Sequence, residues 1–133
     1  MVLTINGKDF PLHWGLGALE MFCDAMECDL NEGLDIALNV SAAKVKGQDQ
    51  HKYIVNLILA AIKNGADAEH FSDDVGVSYR QLQKFLDDAP ANTLSDILDD
   101  FAKSRIFGRT IAEYLFGSEP EEQESEKKSP SDG

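Results

Sequence analysis

The stretch from Ile54 to Ile62 is apolar at every position but Asn56. Too short for a bilayer, which takes about 20 apolar residues to cross, it reads as a core segment. It sits inside a helical pattern running from about Gln50 to Asn64, with Gly65 placed to close it as a C′ glycine. A helix that is apolar nearly all round has no face to offer water. Whatever else this chain does, its other elements must surround that helix.

The surrounding elements can be read from changes in hydrophobic period. Asn6-Gly7 supplies the two positive-φ residues that a two-residue hairpin turn of type I′ needs. With the turn there, Leu3 faces Phe10 and Ile5 faces Lys8, so Leu3, Ile5, Phe10 and Leu12 share one side of a hairpin over residues 1–13. An isolated hairpin is marginal in water, so this side must rest on helices. From Leu16 the period becomes helical, through Leu19, Phe22, Cys23 and Met26. Asp29 and Glu32 form the capping box of a second helix with Leu30, Leu34, Ala37 and Leu38 on its apolar face. Residues 40–50 read as a loop that can hold a helical turn. After the central helix, 66–77 is an acidic connection. Ser78 and Gln81 cap a helix running to Asp88, with Tyr79, Leu82, Phe85 and Leu86 inward and Pro90 beyond its end. The spacing of Leu94, Ile97, Leu98 and Phe101 predicts a last helix from near Thr93, continuing past Gly108 through Ile111 to Leu115 and bending at the glycine.

The expected architecture is therefore mainly α: a single domain of about five helices over residues 1–117, with an N-terminal hairpin. Residues 118–133 contain six acidic side chains, two lysines and no hydrophobic one, so they are expected to form a disordered acidic tail. At 133 residues and 43% hydrophobic, the chain can bury a core without a metal or a disulfide.

Charge narrows the function classes. Twelve basic against 24 acidic residues give −12. Such a surface repels phosphate backbones and anionic lipid, which argues against nucleic acid and membrane as partners. Gly15-Leu16-Gly17-Ala18-Leu19-Glu20 resembles a dinucleotide fingerprint but carries a carboxylate at the third glycine position. Its glycines are read as easing the passage from hairpin to helix. His13, His51 and His70 are scattered, and Cys23 and Cys28 lack the spacing of a zinc knuckle, so neither metal nor cofactor is expected. If both cysteines lay on one helix, their spacing would put them on different faces, against an internal disulfide. Asp67 to Asp74 lacks the alternating ligands and terminal glutamate of a calcium loop. No serine has nucleophile-elbow context, and no catalytic residue or enzyme activity is expected.

One basic island stands out: Lys103-Ser104-Arg105-Ile106-Phe107-Gly108-Arg109. Together with Tyr114 it brings Arg, Phe and Tyr close in sequence, residue types that anchor protein interfaces. Arg105, Phe107, Arg109 and Tyr114 are the candidate partner-binding residues. The plainer reading pairs Asp99 with Lys103 and Arg109 with Glu113 along a helix, with the aromatics completing the core.

In Leu3-Thr4-Ile5-Asn6-Gly7-Lys8, Trp14 to Leu19, Ser78…Leu82…Phe85 to Asp88 and Ile97…Phe101…Ser104…Phe107-Gly108, taken in that order, the chain resembles a tail assembly chaperone of long-tailed bacteriophages. Trp14 and residues 40–50 depart from the pattern. The resemblance implies a non-enzymatic helical protein that binds the tape measure protein, keeps it soluble in the host cytoplasm, helps recruit tail tube subunits and is absent from the mature virion. It also implies a longer product made by ribosomal frameshift, for which Glu126-Lys127-Lys128 can be encoded by a slippery A-rich run. Self-association would use the same candidate surface. Two other readings stand beside it: an acidic regulator that occupies the basic site of a nucleic-acid-binding protein, and a structural tail component.

Overall fold

The computed structural model describes residues 1–41 and 48–116, and the side chains of 1–41 and 51–115. The expected acidic tail, and all but the ends of the 40–50 connection, lie outside the described residues.

The chain opens with an antiparallel hairpin, β1 (Val2–Ile5) and β2 (Lys8–Pro11), in the register Leu3 to Phe10 and Ile5 to Lys8. Asn6 and Gly7 hold φ 53° and 79° at its turn. Leu3, Ile5, Phe10 and Leu12 are all buried, so the alternating face is the inner one. Then come α1 (Leu16–Met26), α2 (Leu30–Ser41), α3 (Gln48–Gly65), α4 (Tyr79–Asp88) and α5 (Thr93–Lys103). The mainly helical class with an N-terminal hairpin is as the sequence predicts.

α3 is the axis of the packing. Ile54, Val55 and every residue from Leu57 to Ile62 are buried. Its one polar interruption is satisfied locally: Asn56 Nδ2 donates to the Lys52 carbonyl at 3.0 Å. α1 and α2 lie along one side, α4 along another, and β2 crosses the C-terminal end. There the His13 N–H donates to the Ala61 carbonyl at 3.1 Å, and Asn64 Nδ2 donates to the His13 carbonyl at 2.9 Å.

Gly65 is the last residue of α3 and not the left-handed cap expected of it. The left-handed residue is Asp67, at φ 59°, with Asp67 N–H on Asn64 O and Ala68 N–H on Lys63 O as in a Schellman end. Gly65 is required for space: a Cβ there would collide with the Pro11 carbonyl oxygen. Gly15, at φ 96°, eases the passage from hairpin to helix as expected, whereas Gly17 serves packing, since a Cβ there would meet the Asn64 side chain.

The acidic connection is organised from within by Lys63. Its buried ammonium donates to the Phe71 and Asp73 carbonyls and lies 4.6 Å from the Phe71 ring centre. Burial pushes the Lys63 pKa down, while Asp73 and Asp74 act in the opposite sense. The Asp73 carboxylate accepts from the Glu69 and His70 N–H groups and the Asp74 carboxylate from Gly76 N–H. These acids shape turns.

Both expected capping pairs are present in some form. Ser78 and Gln81 make a reciprocal capping box. Asp29 accepts from the Glu32 N–H at 2.8 Å.

The last predicted helix is the main correction. α5 ends at Lys103, where Ser104 turns extended and its hydroxyl donates to the Phe101 carbonyl at 2.6 Å. A second hairpin follows, β3 (Arg105–Ile106) and β4 (Arg109–Thr110), and then a short helix, α6 (Ile111–Phe116). Six helices are thus present among the described residues where about five were expected. The physical reason is the positive-φ turn at Phe107-Gly108, which no helix can contain.

Truncating the axis tests this arrangement. Ile58 has no exposed surface, so Ile58→Ala is expected to cost about 2–5 kcal/mol in urea unfolding. A loss below about 1 kcal/mol would mean that α3 is not the packing centre.

Candidate functional site

The basic island predicted as helix is a β-hairpin standing on the α5–α6 end of the domain. Its turn residues, Phe107 at φ 54° and Gly108 at φ 80°, reproduce almost the same φ values as Asn6 and Gly7. Both turns therefore show the positive-φ pair of type I′ geometry. Asparagine tolerates that left-handed position; a bulky aromatic side chain does not do so readily. Phe107 occupies it and is also 71% exposed, the most exposed large hydrophobic side chain among the described residues. Neither local propensity nor core packing accounts for phenylalanine there.

The hairpin is held from below. Ile106 is buried at its base, and so is Ile111, which opens α6. The Ile111 N–H donates to the Ser104 carbonyl at 3.0 Å, closing the ends together. Arg105 Nη1 donates to the Gly108 carbonyl at 2.8 Å, across the turn. Tyr114, half-buried on α6, donates its hydroxyl to the Ile106 carbonyl at 3.0 Å. The Arg109 guanidinium lies 4.8 Å from the centre of the Tyr114 ring. Arg105, Phe107, Arg109 and Tyr114 are thus gathered on one small hairpin and the helix behind it.

The helical pairings expected of Asp99 with Lys103 and of Arg109 with Glu113 do not form. The ion pair within 4 Å among the described residues joins the Met1 ammonium to Asp100, at 3.8 Å. Asp100 also accepts from Trp14 Nε1 at 2.9 Å, while the Trp14 ring packs against Phe101 with centres 5.0 Å apart. Trp14 therefore ties the end of the first hairpin to α5.

Glu113 has a different task. Thr110 N–H donates to Glu113 Oε1 at 2.7 Å, and Glu113 N–H donates to Thr110 Oγ1 at 3.1 Å. This is a capping box at the start of α6. It is also the sequence signal that marks a helix beginning just after Thr110: Thr-x-x-Glu stands in plain view at 110–113, where the helical period hid it. The Thr110 N–H bond holds the Glu113 carboxyl below its ordinary range, with Arg105 and Arg109 acting in the same direction and burial opposing them.

Other surfaces offer less chemistry. A cleft of about 480 Å³ between α3, α4 and α5 has Ile54, Val55, Leu86 and Leu94 on its walls and Arg80 and Lys84 among its polar groups. No cysteine or serine is among the described residues that line it. Among the described residues no three His, Cys, Asp or Glu side chains converge as a metal ligand set. No described helix is long and apolar enough to cross a membrane. No protein-family model, curated protein or solved structure matches this chain.

Two outcomes follow from the hairpin geometry. Phe107→Asn places the residue of the first turn into the second. It should leave the free domain as stable as before or raise its stability by up to about 1 kcal/mol in chemical denaturation. A fall of more than about 1 kcal/mol would mean that Phe107 is packed and not displayed.

The second outcome is a pH dependence. Because the Glu113 pKa is lowered on folding, its stabilising contribution is complete above the ordinary value of 4.5 and is lost as pH falls through the lowered folded value. Unfolding curves of the native chain and Glu113→Gln should therefore converge on acidification below that value. A gap that stays constant there would show that the carboxylate charge contributes nothing to the cap.

Proposed function

We propose that this chain is a tail assembly chaperone of a long-tailed bacteriophage, binding the tape measure protein through the Arg105–Thr110 hairpin. The observation that carries the reading is Phe107: an exposed aromatic side chain on a positive-φ turn, flanked by two arginines, on a chain of net charge −12. Exposed aromatic and arginine side chains are the usual anchors of a protein contact. A rigid two-residue turn presents them with little entropy left to lose on binding. The ordered run of motifs from Leu3 to Gly108 supports the choice of family. A tape measure protein carries long apolar helical faces, and an acidic partner that covers one end of such a face keeps the complex soluble.

On this reading the chain works in the host cytoplasm by binding and has no catalytic role. Tail tube protein is the second partner, and the finished virion lacks the chain.

Co-expression with a tape measure protein from the same phage genome tests the proposal. The native chain should hold that protein in the soluble fraction and co-purify with it. Phe107→Asn should weaken recovery of the complex at least tenfold without lowering the melting temperature of the free domain. Arg109→Glu should weaken it too, although it also removes the contact with Tyr114. An insoluble tape measure protein with the native chain would remove the chaperone reading. An intact complex with Phe107→Asn would move the contact elsewhere on the surface. The chain recovered in purified virions would make it a structural tail component.

A further inference from the structure

The two cysteines stand together in the fold, contrary to the expectation from a shared helix. α1 ends at Met26, and Glu27 takes a left-handed φ of 56°. The chain therefore turns back on itself before Cys28. Glu27 N–H donates to the Asp24 carbonyl at 3.3 Å and Cys28 N–H to the Cys23 carbonyl at 3.1 Å. This is a Schellman end, in which the side chains at the positions of Cys23 and Cys28 meet. Here the side chains that meet are both thiols.

α2 closes over them. A Cβ on Gly33 would collide with Cys23 Sγ and lie 3.5 Å from Cys28 Sγ, so both sulfurs converge on one point of α2. The Cys23 sulfur takes the space a side chain would need, and the Cys28 sulfur lies in contact beside it. Cys23 is buried and its Sγ also contacts the Asp29 carbonyl at 3.4 Å, whereas Cys28 is half-buried and reachable from solvent.

We propose that Cys23 and Cys28 form a reversible intramolecular disulfide across the α1–α2 corner, with a low-molecular-weight disulfide such as oxidised glutathione as the oxidant. Cys28, the accessible thiol, reacts first. Its thiolate attacks one glutathione sulfur, giving a mixed disulfide and releasing one glutathione thiolate. The Cys23 thiolate then attacks the Cys28 sulfur and expels the second glutathione. Two electrons pass from the cysteine pair to the glutathione disulfide, and the two cysteine protons end on the two glutathione thiols. Burial, with the Cys28 thiol beside it, pushes the Cys23 thiol up to about 11, which disfavours it as the first attacker; its later attack on the mixed disulfide relies on the proximity that the cap provides. The hydrogen-bonded cap holds both sulfurs together in advance.

Treatment of the folded chain with oxidised glutathione at neutral pH, followed by intact mass, tests this. The expected product is a monomer two hydrogens lighter than the reduced chain, resistant to N-ethylmaleimide at both cysteines and restored by reduced glutathione. Cys23→Ser should stop at a stable glutathione adduct on Cys28. Closure of the mixed disulfide should be at least tenfold faster in the folded chain than in urea, because unfolding removes the cap. A lasting glutathione adduct on the native chain, a covalent dimer, or closure no faster when folded would each overturn the proposal.

Discussion

The enclosure of α3 is the constraint on which the rest of the molecule depends. A helix buried on every side cannot be accommodated by one neighbour, so α1, α2, α4 and the first hairpin are all drawn to it. That requirement sets severe limits on what can lie at each contact. Gly65 has no room for a side chain against the Pro11 carbonyl, and a side chain at Gly17 would displace the Asn64 amide that holds the His13 carbonyl. The buried Lys63, in the last turn of this helix, turns its charge to loop carbonyls and so fixes the path of the acidic connection as well. Much of the fold is the means of keeping water from one apolar cylinder.

The candidate site follows a different logic. The two hairpins share one turn geometry but use it to opposite ends. In the first, Asn6-Gly7 makes the turn easy and the strands deliver Leu3, Ile5, Phe10 and Leu12 to the core. In the second, Phe107 accepts an unfavourable backbone conformation and points away from the core. Local strain combined with exposed apolar surface is costly to a free domain. The proposed partner contact gives both features a use, since the aromatic surface would be buried in the complex. Arg105, Arg109 and Tyr114 meanwhile hold one another and the turn in place.

Several of these features were legible in the residues alone. The Asn6-Gly7 turn and the alternation around it specify register, because a slip of one residue would turn every apolar side chain to water. The apolar run around Ile58 announces a buried helix, and Ser78 with Gln81 announces where another begins. The candidate residues of the second hairpin were also evident, as a cluster of basic and aromatic types in an acidic chain. Their geometry was not. Ile97, Phe101, Ile111 and Leu115 keep a spacing compatible with one long helix, and phenylalanine is a poor signal of a left-handed turn. The Thr110-Glu113 box was the contrary clue.

By itself the sequence determined the mainly helical class, the first hairpin with its register, and the identity of the buried central helix. These depend on turn chemistry, caps and hydrophobic period, which act over a few residues. Only the tertiary structure decided where α5 stops, why Gly65 and Gly33 must lack side chains, and that Cys23 and Cys28 meet. Each of those depends on what lies opposite: Ile106 and Ile111 anchored in the core, the Pro11 carbonyl laid against α3, and α2 folded over a left-handed Glu27. Contacts between residues distant in the chain choose among local conformations of nearly equal free energy, and no local pattern carries that choice.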